Sequence, residues 1–206
     1  MSDKLLSSTD LRRVESLQVI VKKETPFLPK VAFALITLAS LGGAIFTGLG
    51  FGLEAPALGL RWFALWTLAL AGGFLVWRLF YLREREQDLD QGSVDKLTST
   101  AMHHADRVSM VVGITLIAAA AGTLAVSYLE YLPTARYVIF GGTLALGVLM
   151  LAGVKRRGLA TVSLILATVL VAAWALVDAG TDWHGLIRLA HLTAFSLWLG
   201  GALWNI

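Results

Sequence analysis

The chain has 206 residues, of which 57% are hydrophobic and 15% are charged, and its mean hydropathy is +0.73. This composition is too apolar for an ordinary soluble domain and is typical of a polytopic membrane protein. Because the sequence contains no cysteine, disulfides, thiolate metal sites, iron–sulfur ligation by this chain and covalent attachment of c-type haem are excluded. The net charge is +3, but the basic residues flank apolar segments. We therefore expect the lipid bilayer as a partner and no nucleic acid.

Residues 1–27 form a polar leader ahead of the first apolar segment. The leader has no basic start followed directly by an apolar stretch and a cleavage site, so we do not predict a removable signal peptide. An amphipathic helix lying on an anionic membrane surface fits its pattern, and so does a solvated, partly disordered tail. The apolar face of such a helix would consist of Leu6, Leu11, Val14, Leu17 and Val21.

Residues 28–206 contain six apolar segments, each close to the roughly 20 residues that a bilayer-spanning helix needs. The sequence therefore predicts an all-α, polytopic transmembrane helical bundle of six spans. The connections are short except for residues 83–107, a charged segment that we predict as a loop. The predicted spans are 28–50, 60–82, 108–130, 136–154, 159–178 and 184–206.

The distribution of positive charge predicts the orientation of these spans. Of the 17 lysines and arginines, three (Arg61, Arg136 and Arg188) fall on one side and the rest on the other. The positive-inside rule then places the amino terminus and the 83–107 loop in the cytoplasm. We expect a multi-pass protein of the cell inner (cytoplasmic) membrane, with residue 184 at the outer face.

Paired glycines recur within the predicted spans. In lipid, small residues allow helix backbones to approach closely, so these pairs predict helix crossings. A competing interpretation is that Gly200 and Gly201 leave room for a bulky cofactor. The pairs are Gly42 and Gly43, Gly72 and Gly73, Gly141 and Gly142, and Gly200 and Gly201.

The last apolar segment, 184–206, contains two histidines and an arginine that are candidates for a functional site. Helical spacing places its polar and aromatic residues on one stripe, and Asp182 just before it can cap the helix. Ionisable residues within a membrane span indicate function by default, because they are costly to bury. Their alternative role is to hydrogen-bond to neighbouring helices. The stripe consists of His184, Arg188, His191, Phe195, Trp198 and Ala202.

Two sets of histidines are predicted at opposite levels of the membrane. His184 and His191 belong to the outer level, where Asp182 and Glu130 add carboxylates. Imidazole with carboxylate suits Cu(II) or Zn(II), so we predict the outer set as the metal site. His103 and His104 precede the third span at the inner level, about 30 Å away across the hydrocarbon core. We interpret that pair as a solvated loop feature.

The string from His191 to Gly201 consists of a histidine, six residues, Trp198, one residue and a glycine pair, and Arg188-Leu-Ala precedes it. It resembles the membrane signature of the copper resistance D (CopD-like) family. The resemblance covers about 15 to 20 residues of the chain. It implies an inner-membrane protein that handles copper, in uptake or tolerance, with His191 as a ligand and His184 as a weaker one. We predict Asp182, Arg188, Trp198 and Glu130 as supporting residues of this site.

Two other classes of function stay open. One is a subunit that binds haem b for electron transfer within a redox or photosynthetic complex, and the other is a non-catalytic helical anchor. Both imply other membrane subunits or a homo-oligomer as partners. The sequence has no phosphate-binding loop, HExxH, GxSxG or dinucleotide fingerprint, so we do not expect an enzyme.

Overall fold

The computed structural model describes residues 27–50, 52, 54–87, 91–125 and 133–204, and the regular structure in these ranges is entirely α-helical. The leader up to residue 26 and Glu130 lie outside the described residues. Six helices are present in the described part, as the sequence predicts. They are α1 (Phe27–Gly50), α2 (Ala55–Gln87), α3 (Gln91–Ala125), α4 (Pro133–Leu151), α5 (Arg157–Ala179) and α6 (Trp183–Trp204).

Five of these helices, α1 to α5, are long and apolar enough to cross a membrane. Helix α6, which carries His184, Arg188 and His191 in its first nine residues, is not among these five. Each helix also exposes large apolar side chains, which is the surface expected of a protein surrounded by lipid. Examples, one from each helix in order, are Phe46, Phe80, Ile114, Val138, Val169 and Leu186. The chain is therefore a membrane-embedded helical protein.

The segment predicted as a loop, 83–107, is helical at 83–87 and 91–107. At 33 and 35 residues, α2 and α3 are each about 50 Å long, well beyond a hydrocarbon core of about 30 Å. Helices α2 and α3 thus extend into the connection predicted at 83–107, because hydropathy identifies only the part of a helix that is in lipid. Glu, Arg, Gln and Leu favour continuation of the helix into water.

The bundle has two ends, which we name after their histidines. At the His191 end, α1, α3 and α5 finish and α2, α4 and α6 begin, and the opposite end is the His103 end. The three arginines of the minority charge group lie in α2, α4 and α6 near the His191 end. All the described residues of the majority group lie toward the His103 end.

Helix α2 lies at the centre of the bundle. It packs against α1, α3, α5 and α6, while α4 packs against α3 and α5. Helix α1 lies at the edge, with most of its surface exposed. The core lies between α2, α3, α4 and α5 and includes the fully buried side chains of Leu68, Phe74, Leu116, Leu146 and Trp174.

Glycine allows two close helix crossings. A Cβ on Gly73 of α2 would overlap the carbonyl oxygen of Ser196 and the backbone of Gly200 in α6. A Cβ on Gly113 of α3 would lie 2.9 Å from the carbonyl oxygen of Gly147 in α4. At both crossings the two backbones are too close for any larger residue.

The remaining predicted glycines differ in their surroundings. A Cβ on Gly142 would lie 2.7 Å from the side chain of Leu170, and one on Gly201 would lie 3.1 Å from the indole of Trp77. Gly72 is in ordinary contact distance of Ala167. Within the described part of the chain, nothing lies within 4 Å of a Cβ placed on Gly42, Gly43 or Gly141. These three therefore do not mark close crossings among the described residues, and Gly43 faces an open cavity.

Polar contacts close the bundle at the His103 end. Lys155, in the turn between α4 and α5, forms an ion pair of 2.7 Å with Asp106 of α3. The backbone carbonyl of Lys155 accepts a hydrogen bond of 3.3 Å from the buried Arg78 of α2. Ser109 donates to the carbonyl of Met150, at the end of α4, over 2.5 Å. The α4–α5 turn is thereby held to both α2 and α3.

Candidate functional site

A cavity of about 730 Å³ lies at the His191 end, between α1, α2, α6 and the end of α5. Its size falls within the range of small-molecule and cofactor sites, roughly 300–1,000 Å³. Most of its wall is apolar, but it contains two arginines and one histidine. The lining residues are Ser40, Gly43, Ala44, Thr47, Gly48, Leu58, Arg61, Trp62, Leu65, Trp66, Ala179, Arg188, His191, Leu192 and Phe195.

Helix α6 contributes Arg188, His191 and Phe195 to this wall. Their spacing of three and four residues places them on one face, as the predicted stripe requires. The side chain of His191 is exposed and that of Arg188 is partly buried. The stripe therefore brings an imidazole and a guanidinium into the cavity next to an aromatic ring.

Helix α2 supplies the facing wall. Trp62 and Trp66 lie one turn apart with ring centroids separated by 5.6 Å and planes inclined by 29°, so the two indoles stack. The Nε1–H of Trp62 donates to the Ser40 hydroxyl over 2.8 Å, which ties α1 to α2 beside the cavity. The Nε1–H of Trp66 is buried and has no acceptor among the described residues. Arg61 lies on the same face.

His184 lies outside this cavity. Its side chain is 80% exposed, and its ring Nδ1 is 3.1 Å from the Oδ2 of Asp182. Asp182 caps α6, as predicted, since its Oδ1 accepts the backbone N–H of His184 over 3.0 Å. The hydrogen bond from the His184 side chain, with smaller contributions from backbone N–H groups, lowers the pKa of Asp182. His184 and His191 share a helix face, but only His191 lines this cavity.

Trp198 also lies outside the cavity. It packs against Phe195, with ring centroids 6.3 Å apart, and lines a second, smaller cavity of about 370 Å³ between α1, α2 and α6. Trp77 and Gly201 line that second cavity too. The Nε1–H of Trp77 donates to the carbonyl of Leu197 over 3.0 Å. The second half of the string from His191 to Gly201 therefore connects α6 to α2.

The described residues contain no group of three His, Asp or Glu side chains close enough to hold a metal ion. Glu130, the predicted carboxylate, is outside the described part of the chain. His103 and His104 are exposed near the opposite end. Among the described residues that line the large cavity, His191 is the one imidazole and none is acidic.

Arg61, Trp62 and Trp66 are site residues that the sequence pattern did not predict. Their signal is present, because Leu58, Arg61, Trp62, Leu65 and Trp66 repeat at helical spacing near the start of α2. What the sequence does not provide is the rotation of α2 that turns this face toward α6. Only the packed bundle shows that the two cavity faces meet.

Comparison of the chain with protein-family models, with curated proteins and with solved structures finds no match. The membrane-embedded helical fold and the cavity at the His191 end therefore provide the basis for assigning a function.

Proposed function

We propose that this chain is a CopD-like membrane protein that handles copper, in uptake or tolerance, with His191 as the residue that binds the ion. One observation carries the proposal: His191, which begins the CopD-like string, lines the cavity of about 730 Å³ at one end of the bundle. Neutral imidazole is a good ligand for copper. The proposed location is the cell inner membrane, and other membrane subunits or a second copy of the chain are the proposed partners.

The small number of copper-coordinating side chains around His191 favours transient binding of copper as cargo. Tight copper sites combine several nitrogen, sulfur or oxygen donors in a defined geometry, whereas the described lining offers one imidazole. An ion held by one protein ligand exchanges easily, which suits passage and not storage.

Copper content measured after equilibrium dialysis of the purified, bilayer-reconstituted protein tests this proposal. We expect His191→Ala to lose most of the copper that the wild type retains, and His184→Ala to lose little. The double variant His103→Ala, His104→Ala is the matched control, since it removes two exposed imidazoles from the other end. Equal copper content in wild type and His191→Ala would refute the proposal.

The absorption spectrum of the same preparations separates the haem alternative from copper. The cavity has the size and aromatic walls of a cofactor site, but His191 is the one haem-ligating side chain among its described lining residues. We expect no Soret band. A Soret band that is present in the wild type and absent in His191→Ala would show that His191 binds haem b and not copper. Purified protein that contains neither copper nor haem would favour the hypothesis that the chain is a non-catalytic helical anchor.

A further inference from the structure

Helix α1 is the most loosely packed of the five helices that are apolar enough to span a membrane. Only 6% of its apolar span is buried, against 28% or more in each of α2 to α5. Elements with few buried apolar contacts separate from the rest of a protein at a low free-energy cost, and moving parts are drawn from them. Helix α1 is therefore the element that can move while the core of α2 to α5 stays packed.

A hydrogen bond and a ring contact join α1 to α2. The Ser40 hydroxyl of α1 accepts the Nε1–H of Trp62 over 2.8 Å. About two turns nearer the start of α1, the ring of Phe33 lies against that of Trp66, with centroids 5.7 Å apart and planes inclined by 59°. Each contact involves one side chain from each helix, so it can break and form again without unfolding either helix.

The large cavity and the second, smaller cavity both lie against α1, at successive levels of the bundle. The large cavity follows α1 over residues 40–48, and the second follows it over residues 32–36, nearer the His103 end. Phe33 lines the second cavity, whereas Trp66 and Phe195 line the large one. These three rings pack on one small apolar cluster of α2 and α6. An aromatic layer from α1, α2 and α6 therefore lies between the two cavities.

Trp66 carries an unsatisfied polar group within this aromatic layer. Its Nε1–H is buried and has no acceptor within the described residues. A buried donor without an acceptor costs free energy, because it has lost its hydrogen bond to water. Separation of the rings would open this N–H to water in the cavities, so the cost is relieved when the layer opens.

We propose that α1 is the gate of a passage along its own length. When α1 moves away from α2, the rings of Phe33 and Trp66 separate and the two cavities join. With α1 packed, the passage from His191 ends at the aromatic layer; with α1 apart, it continues toward the His103 end. As a route for copper this gate rests on the proposed function, whereas the movement of α1 does not.

Distances between spin labels test the movement, and the absence of cysteine from the chain makes the labelling specific. The labels are attached in pairs to cysteines introduced at Leu38 of α1, Ile114 of α3 and Val169 of α5, which are all exposed. In the bilayer-reconstituted full chain, we expect at least one of the two pairs with Leu38 to show a second distance. It should be longer by about 5 Å, the centroid spacing of a ring pair. The pair of Ile114 and Val169 is the matched control and should show one distance.

Variants of α1 assign the second distance to its contact with α2. Ser40→Ala removes the acceptor of Trp62, so the population with the longer distance should grow by about two- to tenfold, the contribution of one hydrogen bond. Thr37→Val is the matched control, because the Thr37 hydroxyl donates within α1, to the carbonyl of Phe33. One narrow distance for every pair, in wild type and in Ser40→Ala, would overturn the proposal. Equal growth in Thr37→Val would do the same.

Copper uptake into vesicles that contain a copper-sensitive dye tests whether the movement opens a passage. Phe33→Ala removes a ring of the aromatic layer and should raise the rate of uptake by about two- to tenfold, the contribution of one ring pair. Phe46→Ala is the matched control, since Phe46 lies on the same helix and is 83% exposed. Equal rates in wild type and Phe33→Ala would overturn the passage. Two label distances without copper uptake by any variant would support the movement of α1 and refute the proposed function instead.

Discussion

Asp182 shows how a single side chain fixes the start of the helix that carries the site. It accepts the backbone N–H of His184 over 3.0 Å and lies 3.1 Å from the Nδ1 of the same residue. Capping of this kind satisfies one of the free N–H groups at a helix start. The pKa of Asp182 is lowered, chiefly by the His184 side chain. The ionised carboxylate is therefore the form that the folded state favours.

A lowered carboxyl pKa makes stability depend on pH in a defined direction. The contribution is complete above the pKa of the unfolded chain, about 4, and is lost as the pH falls through the folded value. We predict that Asp182→Asn, which keeps a capping side chain but loses the charge, unfolds at a lower temperature than wild type at pH 7. The difference should shrink at pH 3. A difference that does not change with pH would contradict the role of the charge.

The crossing of α2 and α6 determines the shape of the site, because these two helices supply both arginines and His191. The backbones meet at Gly73 and Gly200, where a Cβ on either residue would overlap the other helix. Such a contact cannot adjust by rotating a side chain. The helices would have to separate, and the walls of the cavity would move with them.

We predict that Gly200→Ala lowers the free energy of unfolding by about 1–3 kcal/mol, the usual range for overpacking. Gly141→Ala is the matched control, since nothing lies within 4 Å of a Cβ placed there. In a helix interior, exchanging glycine for alanine gains up to about 1 kcal/mol, so this variant should be as stable as wild type or more so. Unfolding of detergent-solubilised protein measures both values. Equal effects of the two variants would show that the crossing is not close.

The helical type and the apolar portions of the described helices were predictable, because long apolar segments have few alternatives in a membrane. Which glycine pairs form crossings was not. Gly73 and Gly200 do, Gly42 and Gly43 do not, and Gly113 with Gly147 was missed because the two are single glycines in different helices. A glycine pattern describes one helix, whereas a crossing depends on how two helices are rotated toward each other.

The same reason limits what could be predicted of the site. The stripe of α6 correctly placed Arg188, His191 and Phe195 on one wall. It also suggested that His184 and His191 contribute to the same site. In the structure the helix begins only one residue before His184, and the His184 side chain is 80% exposed. The opposite wall, with Arg61, required knowledge of which helix lies next to α6.

The orientation of the protein in the membrane follows from charge and is testable as a whole. The chain contains no cysteine, so single cysteines at Ser93 and Thr134 can be labelled without background. We predict that a membrane-impermeant thiol reagent labels position 134 but not position 93 in intact cells, because the positive-inside rule places α3's start in the cytoplasm. Labelling of 93 alone would reverse the orientation and put the cavity on the cytoplasmic side.

Electron spin echo spectroscopy of the protein loaded with Cu(II) tests most directly whether His191 is the ligand. The remote nitrogen of a copper-bound imidazole gives a characteristic modulation, and His191 is the one imidazole among the described lining residues of the cavity. The proposed function predicts this modulation in wild type and in His184→Ala, and its loss in His191→Ala. Modulation that persists unchanged in His191→Ala would contradict the assignment of copper to this cavity.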